Sequence, residues 1–129
     1  MAGISQGVQP QIQKMSKKAT TLEVLNATDP NRFNCVKYAR TLIPSLPFGL
    51  WTIWDKKKII NSEKSKVGNI AIMKVGLPWG HVGVVTDRTG GGRYKTIQEA
   101  NFRIGKITKR TGTSKDLKII GYFDPRKKA

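Results

Sequence analysis

The sequence predicts an α+β fold in which helices come first and an antiparallel sheet of about five strands follows. Between residues 20 and 44, apolar residues recur every three or four positions, which is the period of a helix. From residue 68 onwards, short runs rich in Val, Ile, Thr and aromatic residues are separated by Gly, Pro and Asp. Helices and strands that are segregated in this way are typical of α+β proteins. A chain of 129 residues suits one domain with one hydrophobic core.

The N-terminal part divides into a leader and a first helix. Residues 1–19 are rich in Gln, Gly and Lys and show no clear period, so we expect either a flexible leader or a weak first helix before a single domain over 20–129. In TTLEVLN (20–26), Thr20 and Glu23 have the spacing of a capping box, and an apolar pair follows. This pattern predicts a helix over 20–26.

A second helix is predicted in NCVKYARTLIP (34–44). Asn34 is a favourable N-cap residue, which places Cys35 in the first turn. A proline at position 44 ends the helix near residue 42 or 43. One face of this helix is formed by positions i, i+3, i+4 and i+7, namely Cys35, Tyr38, Ala39 and Leu42.

Five strands are predicted in the remainder of the chain. Each is a short run of β-branched and aromatic residues, and the glycine-rich segment TGGGR (89–93) predicts a hairpin connection between the second and third of them. The runs are GNIAIMKV (68–75), HVGVVTD (81–87), YKTIQEAN (94–101), IGKITKR (104–110) and LKIIGYF (117–123).

The composition is strongly basic, with 24 Lys and Arg against 8 Asp and Glu, a net charge of +16. Such a charge favours polyanionic partners, which include nucleic acids, anionic lipids and bacterial cell walls. A local stripe such as Lys106, Lys109 and Arg110 is interpreted as a solvated strand face. The chain shows neither a transmembrane run nor a secretory signal, so we expect that, if the protein works outside its cell of origin, it leaves that cell by phage lysis, on a virion or by another export route. One cysteine excludes an internal disulfide and a cysteine-based zinc site.

The only cysteine and the only histidine, Cys35 and His81, begin two of the best-defined predicted elements. A free thiol has a pKa of about 8.5, and a helix N-terminus stabilises an anion by only about 0.3–1 kcal/mol. A neighbouring imidazolium could supply the rest of the stabilisation that a thiolate needs at neutral pH. The same helix end offers the Cys35 N–H to an oxyanion. The alternatives are a small buried hydrophobic residue at position 35 and a strand-edge histidine at position 81.

QEAN (98–101) supplies two groups that could orient the imidazole. Glu99 and Asn101 lie two residues apart on a predicted strand, so their side chains share a face. Pairing across the TGGG turn places residues near 81–83 opposite residues near 99–101. The predicted hairpin therefore allows His81 to meet this pair, although a solvated Glu99 fits the spacing equally well.

These motifs resemble, in order, those of the CHAP domain, the cysteine- and histidine-dependent amidohydrolase/peptidase branch of the NlpC/P60 papain-like superfamily. The resemblance extends from about Thr20 to Phe123 and rests on NCVKYA, GNIAIM, GHVGVV, IQEAN and IIGYF. It implies a papain-like fold with a nucleophile helix on an antiparallel sheet. It also implies that Cys35 is the nucleophile, His81 the general base, Glu99 the residue that orients His81, and Asn101 a supporting polar residue.

The resemblance implies a peptidoglycan hydrolase that cuts the muramoyl–alanine amide or a stem or cross-bridge peptide bond. We expect a monomer without cofactors, either a phage lysin, a virion-associated hydrolase or a bacterial wall enzyme, held to the wall by its positive charge. The Asn34 side chain is a candidate second oxyanion donor. No calcium site is expected, because 17 residues before Asn34 contain only two carboxylates. Trp79, Trp54 and Trp51 are candidates for the substrate groove, with core packing as the alternative for each.

Other functions stay open at this point. A CHAP-like protein amidase, deamidase or toxin would use the same residues on another amide. A basic nucleic-acid-binding protein would explain the charge but not the order of Cys, His and Glu, and residues 102–118 interleave only one aromatic residue with their cations. A phage structural protein with a relic hydrolase site is the third alternative.

Overall fold

The computed structural model describes residues 21–26 and 28–127, which form an α+β domain. The predicted leader (1–19) lies outside the described residues. Within these described residues, six strands and three α-helices follow one another: β1 (Thr21–Asn26), α1 (Cys35–Leu42), α2 (Ile53–Lys58), β2 (Ile70–Met73), β3 (His81–Thr89), β4 (Tyr94–Ala100), β5 (Ile107–Gly112), α3 (Ser114–Leu117) and β6 (Ile119–Phe123). A 3₁₀ turn (Gly90–Gly92) joins β3 to β4. None of the helices in this described part is long and apolar enough to cross a membrane.

All six strands form one antiparallel sheet in the order β1-β5-β4-β3-β2-β6. The five predicted strands are confirmed, with ends shifted by up to three residues. The predicted helix over 20–26 is wrong, because residues 21–26 form strand β1, which is additional to the five predicted strands. Thr21 pairs with Thr111 and Val24 with Thr108 on β5. A helix of this length is marginal alone, whereas the edge of β5 satisfies the backbone groups of a strand.

Helix α1 begins and ends as its sequence predicts. Asn34 caps it, since Asn34 Oδ1 accepts a hydrogen bond of 2.9 Å from the Lys37 N–H. Tyr38 and Ala39 are buried against the sheet, and the Tyr38 hydroxyl accepts a hydrogen bond of 2.7 Å from Gln98 on β4. Leu42, expected on the same face, is exposed; the chain turns after the helix and Leu46 fills the core instead.

The sheet is covered on both faces, and β2 is buried on each. Ile70 and Ile72 pack with residues of α1 and α2, whereas Ala71 and Met73 belong to a second apolar cluster. That second cluster contains Leu117 of α3. Short helices on both sides thus cover the middle of the sheet, and the N-terminus of α1 contacts the start of β3.

Candidate active site

Cys35 is the first residue of α1 and is half-buried. Its thiol lies close enough to the His81 side chain and to the Val82 backbone N–H for both groups to lower its pKa. Because Cys35 opens the helix, its own N–H lies among the backbone donors that have no partner within the helix. The thiol therefore stands beside a helix N-terminus and an imidazole, two groups that stabilise a thiolate.

His81 is the first residue of β3 and is almost completely buried. Its Nε2 lies 2.9 Å from Glu99 Oε1. Since Nε2 is bound to the carboxylate, Nδ1 is the ring nitrogen left to face the thiol of Cys35. The structure thus brings together three of the residues that the sequence singled out, in the order thiol, imidazole and carboxylate.

The predicted hairpin register is confirmed. Val84 pairs with Gln98, and one further step along the strands places Gly83 opposite Glu99. A Cβ atom on Gly83 would lie 2.2 Å from Cγ2 of Ile97 and 3.1 Å from Cβ of Glu99. Only glycine fits between these side chains, so the second glycine of GHVGVV leaves room for the carboxylate beside His81.

Glu99 is held by a residue that sequence reasoning missed. Arg110 Nε donates to Glu99 Oε2 at 2.6 Å and Nη2 donates to Oε1 at 2.9 Å, so both carboxylate oxygens are bound. The Thr108 hydroxyl adds a bond of 3.3 Å to Oε2. Glu99 and Arg110 are only 1% and 4% exposed. The carboxylate is therefore fixed as an anion in the correct plane to bind His81.

The interpretation of Arg110 as part of a solvated strand face is wrong. On β5 the buried residues alternate, and Thr108 and Arg110 point to the side where Glu99 lies, whereas Lys109 is only partly buried. Glu99 pairs directly with Thr108. The combination of strand alternation and hairpin register would have identified Arg110, since it lies two residues beyond Thr108 on the same face.

Phe102 covers this ion pair from the side of the cleft. The Arg110 guanidinium lies 3.5 Å from the centroid of the Phe102 ring, and the His81 and Phe102 rings are 6.1 Å apart. A cation above an aromatic face is favoured by the ring quadrupole. Phe102 thus shields Arg110 and His81 from water.

These contacts shift the pKa values of all three groups. Burial alone would raise the pKa of the Cys35 thiol, but the hydrogen bond and charge of His81, helped by Val82 and Lys56, lower it below 9.0. Burial would lower the pKa of His81, but Cys35 and Glu99 raise it to about 9. For Glu99, the bonds from Arg110 and His81 outweigh burial and lower the pKa. A thiolate–imidazolium pair is therefore the state that this environment favours at neutral pH.

Cys35 and His81 open onto a cleft of about 580 Å³. Aromatic residues surround it: Phe33, Phe48, Trp51, Trp79 and Phe102. Lys37, Arg40 and Lys56 also line it, and among the described lining residues there is no Asp or Glu. The cleft thus combines apolar walls with positive charge.

The three tryptophans differ in their position relative to this cleft. Trp51, Trp54 and Trp79 are 73%, 61% and 60% exposed, so core packing, the alternative for each, is wrong. Trp79 and Trp51 line the cleft, whereas Trp54 lies outside it. Trp54 is on the exposed side of α2, whose core-facing residue is Ile53.

The two asparagines have local structural partners. Asn34 uses its side-chain oxygen to cap α1. Asn101 follows β4 with a positive φ of 66°, donates to the Phe33 carbonyl at 3.2 Å and accepts from the Gly105 N–H at 3.0 Å. The expectation that Asn101 shares a face with Glu99 is wrong, because the left-handed backbone turns its side chain towards the loop before α1. Asn101 therefore connects two loops at the edge of the cleft.

Lys56, one of three successive lysines, is buried under the cleft. Its ammonium donates to the carbonyls of Leu50 and Trp79, each at 2.9 Å. It joins the segment before α2 to the loop before His81 and places a positive charge near Cys35.

In the part of the chain that the structure describes, no three His, Cys, Asp or Glu residues lie together as metal ligands would. Comparison of the chain with protein-family models, with curated proteins and with solved structures gave no significant match.

Proposed function

We propose that this chain is a cysteine hydrolase that cleaves an amide bond of peptidoglycan. The observation that carries the proposal is the series Cys35–His81–Glu99, in which the half-buried thiol lies at a helix N-terminus and lines an open cleft. The ordered resemblance of the sequence motifs to the CHAP domain supports the same conclusion. A helix bearing the cysteine, packed on an antiparallel sheet, is compatible with the papain-like fold that the resemblance implies.

The reaction starts from the Cys35 thiolate and the His81 imidazolium. The thiolate sulfur attacks the carbonyl carbon, and the oxygen that becomes negative is stabilised by the Cys35 backbone N–H at the start of α1. The carbon–nitrogen bond then breaks, and His81 gives its proton to the leaving amine. This step leaves a thioester on Cys35 and a neutral imidazole.

Hydrolysis of the thioester returns the site to its starting state. His81 takes a proton from water while the water oxygen attacks the thioester carbonyl. The carbon–sulfur bond breaks, the acid product leaves, and the thiolate and imidazolium are restored. Glu99, fixed by Arg110, holds the ring in one orientation during both steps and stabilises its charged form.

The charge of the molecule and of the cleft supports an anionic substrate. Positively charged residues line the cleft without a carboxylate among its described lining residues, and the chain carries a net charge of +16. Stem peptides and wall polymers of bacteria are anionic, so long-range attraction would raise the rate of encounter. Trp79 and Trp51 offer flat apolar surfaces on which a glycan or peptide can stack. We propose action at the wall as a phage lysin, a virion-associated hydrolase or a bacterial wall enzyme.

The proposal is tested by incubating wild-type protein and the Cys35→Ala variant with peptidoglycan from several bacteria. We expect muropeptides from the wild type and none from the variant, and mass spectrometry of the new chain ends identifies the cleaved bond. Circular dichroism of both proteins controls for folding. Rapid labelling of Cys35 by iodoacetamide without any release from peptidoglycan would refute the wall substrate and favour a protein amidase or deamidase.

A further inference from the structure

A second cavity, of about 520 Å³, lies outside the candidate active site. None of the residues that line it also lines the cleft of Cys35. Its walls come from the segment 63–66, the β3–β4 turn, the start of β4, the start of α3 and β6. Four cationic residues and one carboxylate line it: Lys64, Lys66, Arg88, Lys95 and Glu63.

Lys95 is a buried cation without a carboxylate partner. It is only 7% exposed, and its ammonium donates to the Ser114 hydroxyl at 2.8 Å and to the Arg93 carbonyl at 3.4 Å. Within 21–26 and 28–127 no Asp or Glu forms an ion pair with Lys95 or Arg88. Burial, and then the positive charge of Arg88, lower the pKa of Lys95. The buried Lys95 and the exposed Arg88 thus line one cavity, and a buried ammonium without a carboxylate partner is costly.

A buried hydroxyl points into the same cavity. Tyr122 is 3% exposed, and its Oη has no hydrogen-bond partner of ordinary geometry, although the hydroxyls of Ser114 and Ser65 approach it. Burial raises the pKa of Tyr122, so the phenol keeps its proton at neutral pH. A buried O–H without an acceptor is rare in folded proteins. Tyr122 therefore supplies a donor that an acceptor inside the cavity would satisfy.

The turn between β3 and β4 leaves room for the Arg88 side chain at the second cavity. A Cβ atom on Gly92 would lie 2.4 Å from Nη2 of Arg88 and 3.5 Å from Oγ of Ser65. Gly92 also has a positive φ of 95°. Glycine at this position thus allows the guanidinium to lie against the turn, beside the serine hydroxyl.

From these contacts we infer that the cavity binds a doubly charged tetrahedral oxyanion, either inorganic phosphate or a phosphate monoester. Arg88 and Lys95 supply two positive charges, and Tyr122, Ser65 and Ser114 supply hydroxyl donors. Arginine presents a planar pair of N–H groups that matches two oxygens of a phosphate. The site is independent of the thiol, so it does not rest on the proposed hydrolase activity.

The test is a calorimetric titration of the full chain with inorganic phosphate, at constant ionic strength maintained with chloride. We expect saturable binding by the wild type and by Cys35→Ala. Tyr122→Phe removes one hydroxyl and should weaken binding about tenfold. Arg88→Gln changes an exposed residue and should weaken binding by at least as much. The matched control is Arg103→Gln, which removes the same charge from an exposed position outside the cavity and should bind as the wild type does.

Parallel titrations with glycerol 3-phosphate and with a poly(glycerol phosphate) distinguish the source of the anion. Equal binding of the monoester identifies a phosphate ester as the ligand, and binding of inorganic phosphate alone identifies the free ion. The inference is overturned if phosphate does not saturate the wild type, if Arg88→Gln and Arg103→Gln weaken binding equally, or if only the diester polymer binds.

Discussion

Arg110 Nε lies 2.6 Å from Glu99 Oε2, and both side chains are almost completely buried. The pair occupies the same region as His81, whose ring binds the other oxygen of Glu99. Removal of either partner from a buried ion pair leaves an uncompensated charge, whereas the intact pair fixes geometry. Arg110 thus acts as a positioning residue, because it reaches the thiol only through Glu99 and His81.

Replacement of Arg110 is expected to affect both stability and the pH profile. Without the guanidinium the pKa of Glu99 rises, a neutral carboxyl no longer favours the imidazolium, and the pKa of His81 falls from about 9. Arg110→Gln should lower the free energy of unfolding by about 3–5 kcal/mol. The decline of the hydrolysis rate at high pH should therefore occur at lower pH. The shift is one pH unit for about each 1.4 kcal/mol by which the interaction between Glu99 and the His81 imidazolium weakens.

Two further variants make this result decisive. Arg110→Lys keeps the charge but loses the two parallel bonds, so it should show a smaller change of the same sign. Lys109→Gln, at the neighbouring and more exposed position of β5, should leave the pH profile unchanged. A folded Arg110→Gln protein with the wild-type pH profile would show that Arg110 has only a structural role.

His81 is expected to control the reactivity of the thiol. In His81→Ala, burial remains the largest influence on Cys35 and raises its pKa above that of a free thiol. The thiolate fraction at neutral pH then falls below the few per cent of a free cysteine, so alkylation by iodoacetamide should slow by at least about tenfold. Mass spectrometry of alkylated protein as a function of pH measures both rates. Equal rates at neutral pH in the two proteins would contradict the ion pair.

The rates of hydrolysis and of Cys35 alkylation should change differently at high pH. The leaving amine needs the proton of His81, whose pKa is raised to about 9, so hydrolysis should decline as the pH rises through that value. Alkylation needs only the thiolate and should not decline there. Release of muropeptides and alkylation of Cys35, followed in the same buffers, provide the comparison. A parallel decline of both would indicate unfolding and not titration of His81.

Trp79 and Trp54 form a matched pair for testing the cleft. They are equally exposed, yet only Trp79 lines the cleft. Trp79→Ala should raise KM about tenfold through lost apolar contact, while Trp54→Ala should leave kcat/KM unchanged. Initial rates on solubilised peptidoglycan measure both values. If the two variants lose activity equally, the substrate does not lie along Trp79.

Gly83 is expected to tolerate no side chain. The added methyl of Gly83→Ala meets Ile97 and presses on Glu99, so thermal unfolding should show a loss of about 1–3 kcal/mol and Cys35 should alkylate more slowly. Gly91→Ala has no atom within 4 Å of the new Cβ, but the positive φ of 70° at Gly91 strains any other residue. This control should lose stability without any change in alkylation. Wild-type alkylation in a destabilised Gly83→Ala protein would argue that Glu99 has kept its place.

Local signals in the sequence were sufficient to predict α1 and five of the six strands of the described sheet. Asn34 as a cap, the helical spacing of Tyr38 and Ala39, and the short β-branched runs act over a few residues, so their effect does not depend on distant partners. The hairpin across the TGGG turn also placed Glu99 near His81, because a short connection limits the register of two strands.

Tertiary structure decided the features that depend on a distant partner. Residues 21–26 became a strand because β5 offered an edge, and Arg110 turned inward because β5 pairs with the strand that holds Glu99. The left-handed backbone of Asn101 directed its side chain to the loop before α1. The sequence by itself predicted which residues would carry the proposed chemistry. Only the folded chain decided that Cys35 meets His81, since the 45 residues between them contain no local constraint that could bring a helix end to the start of a strand.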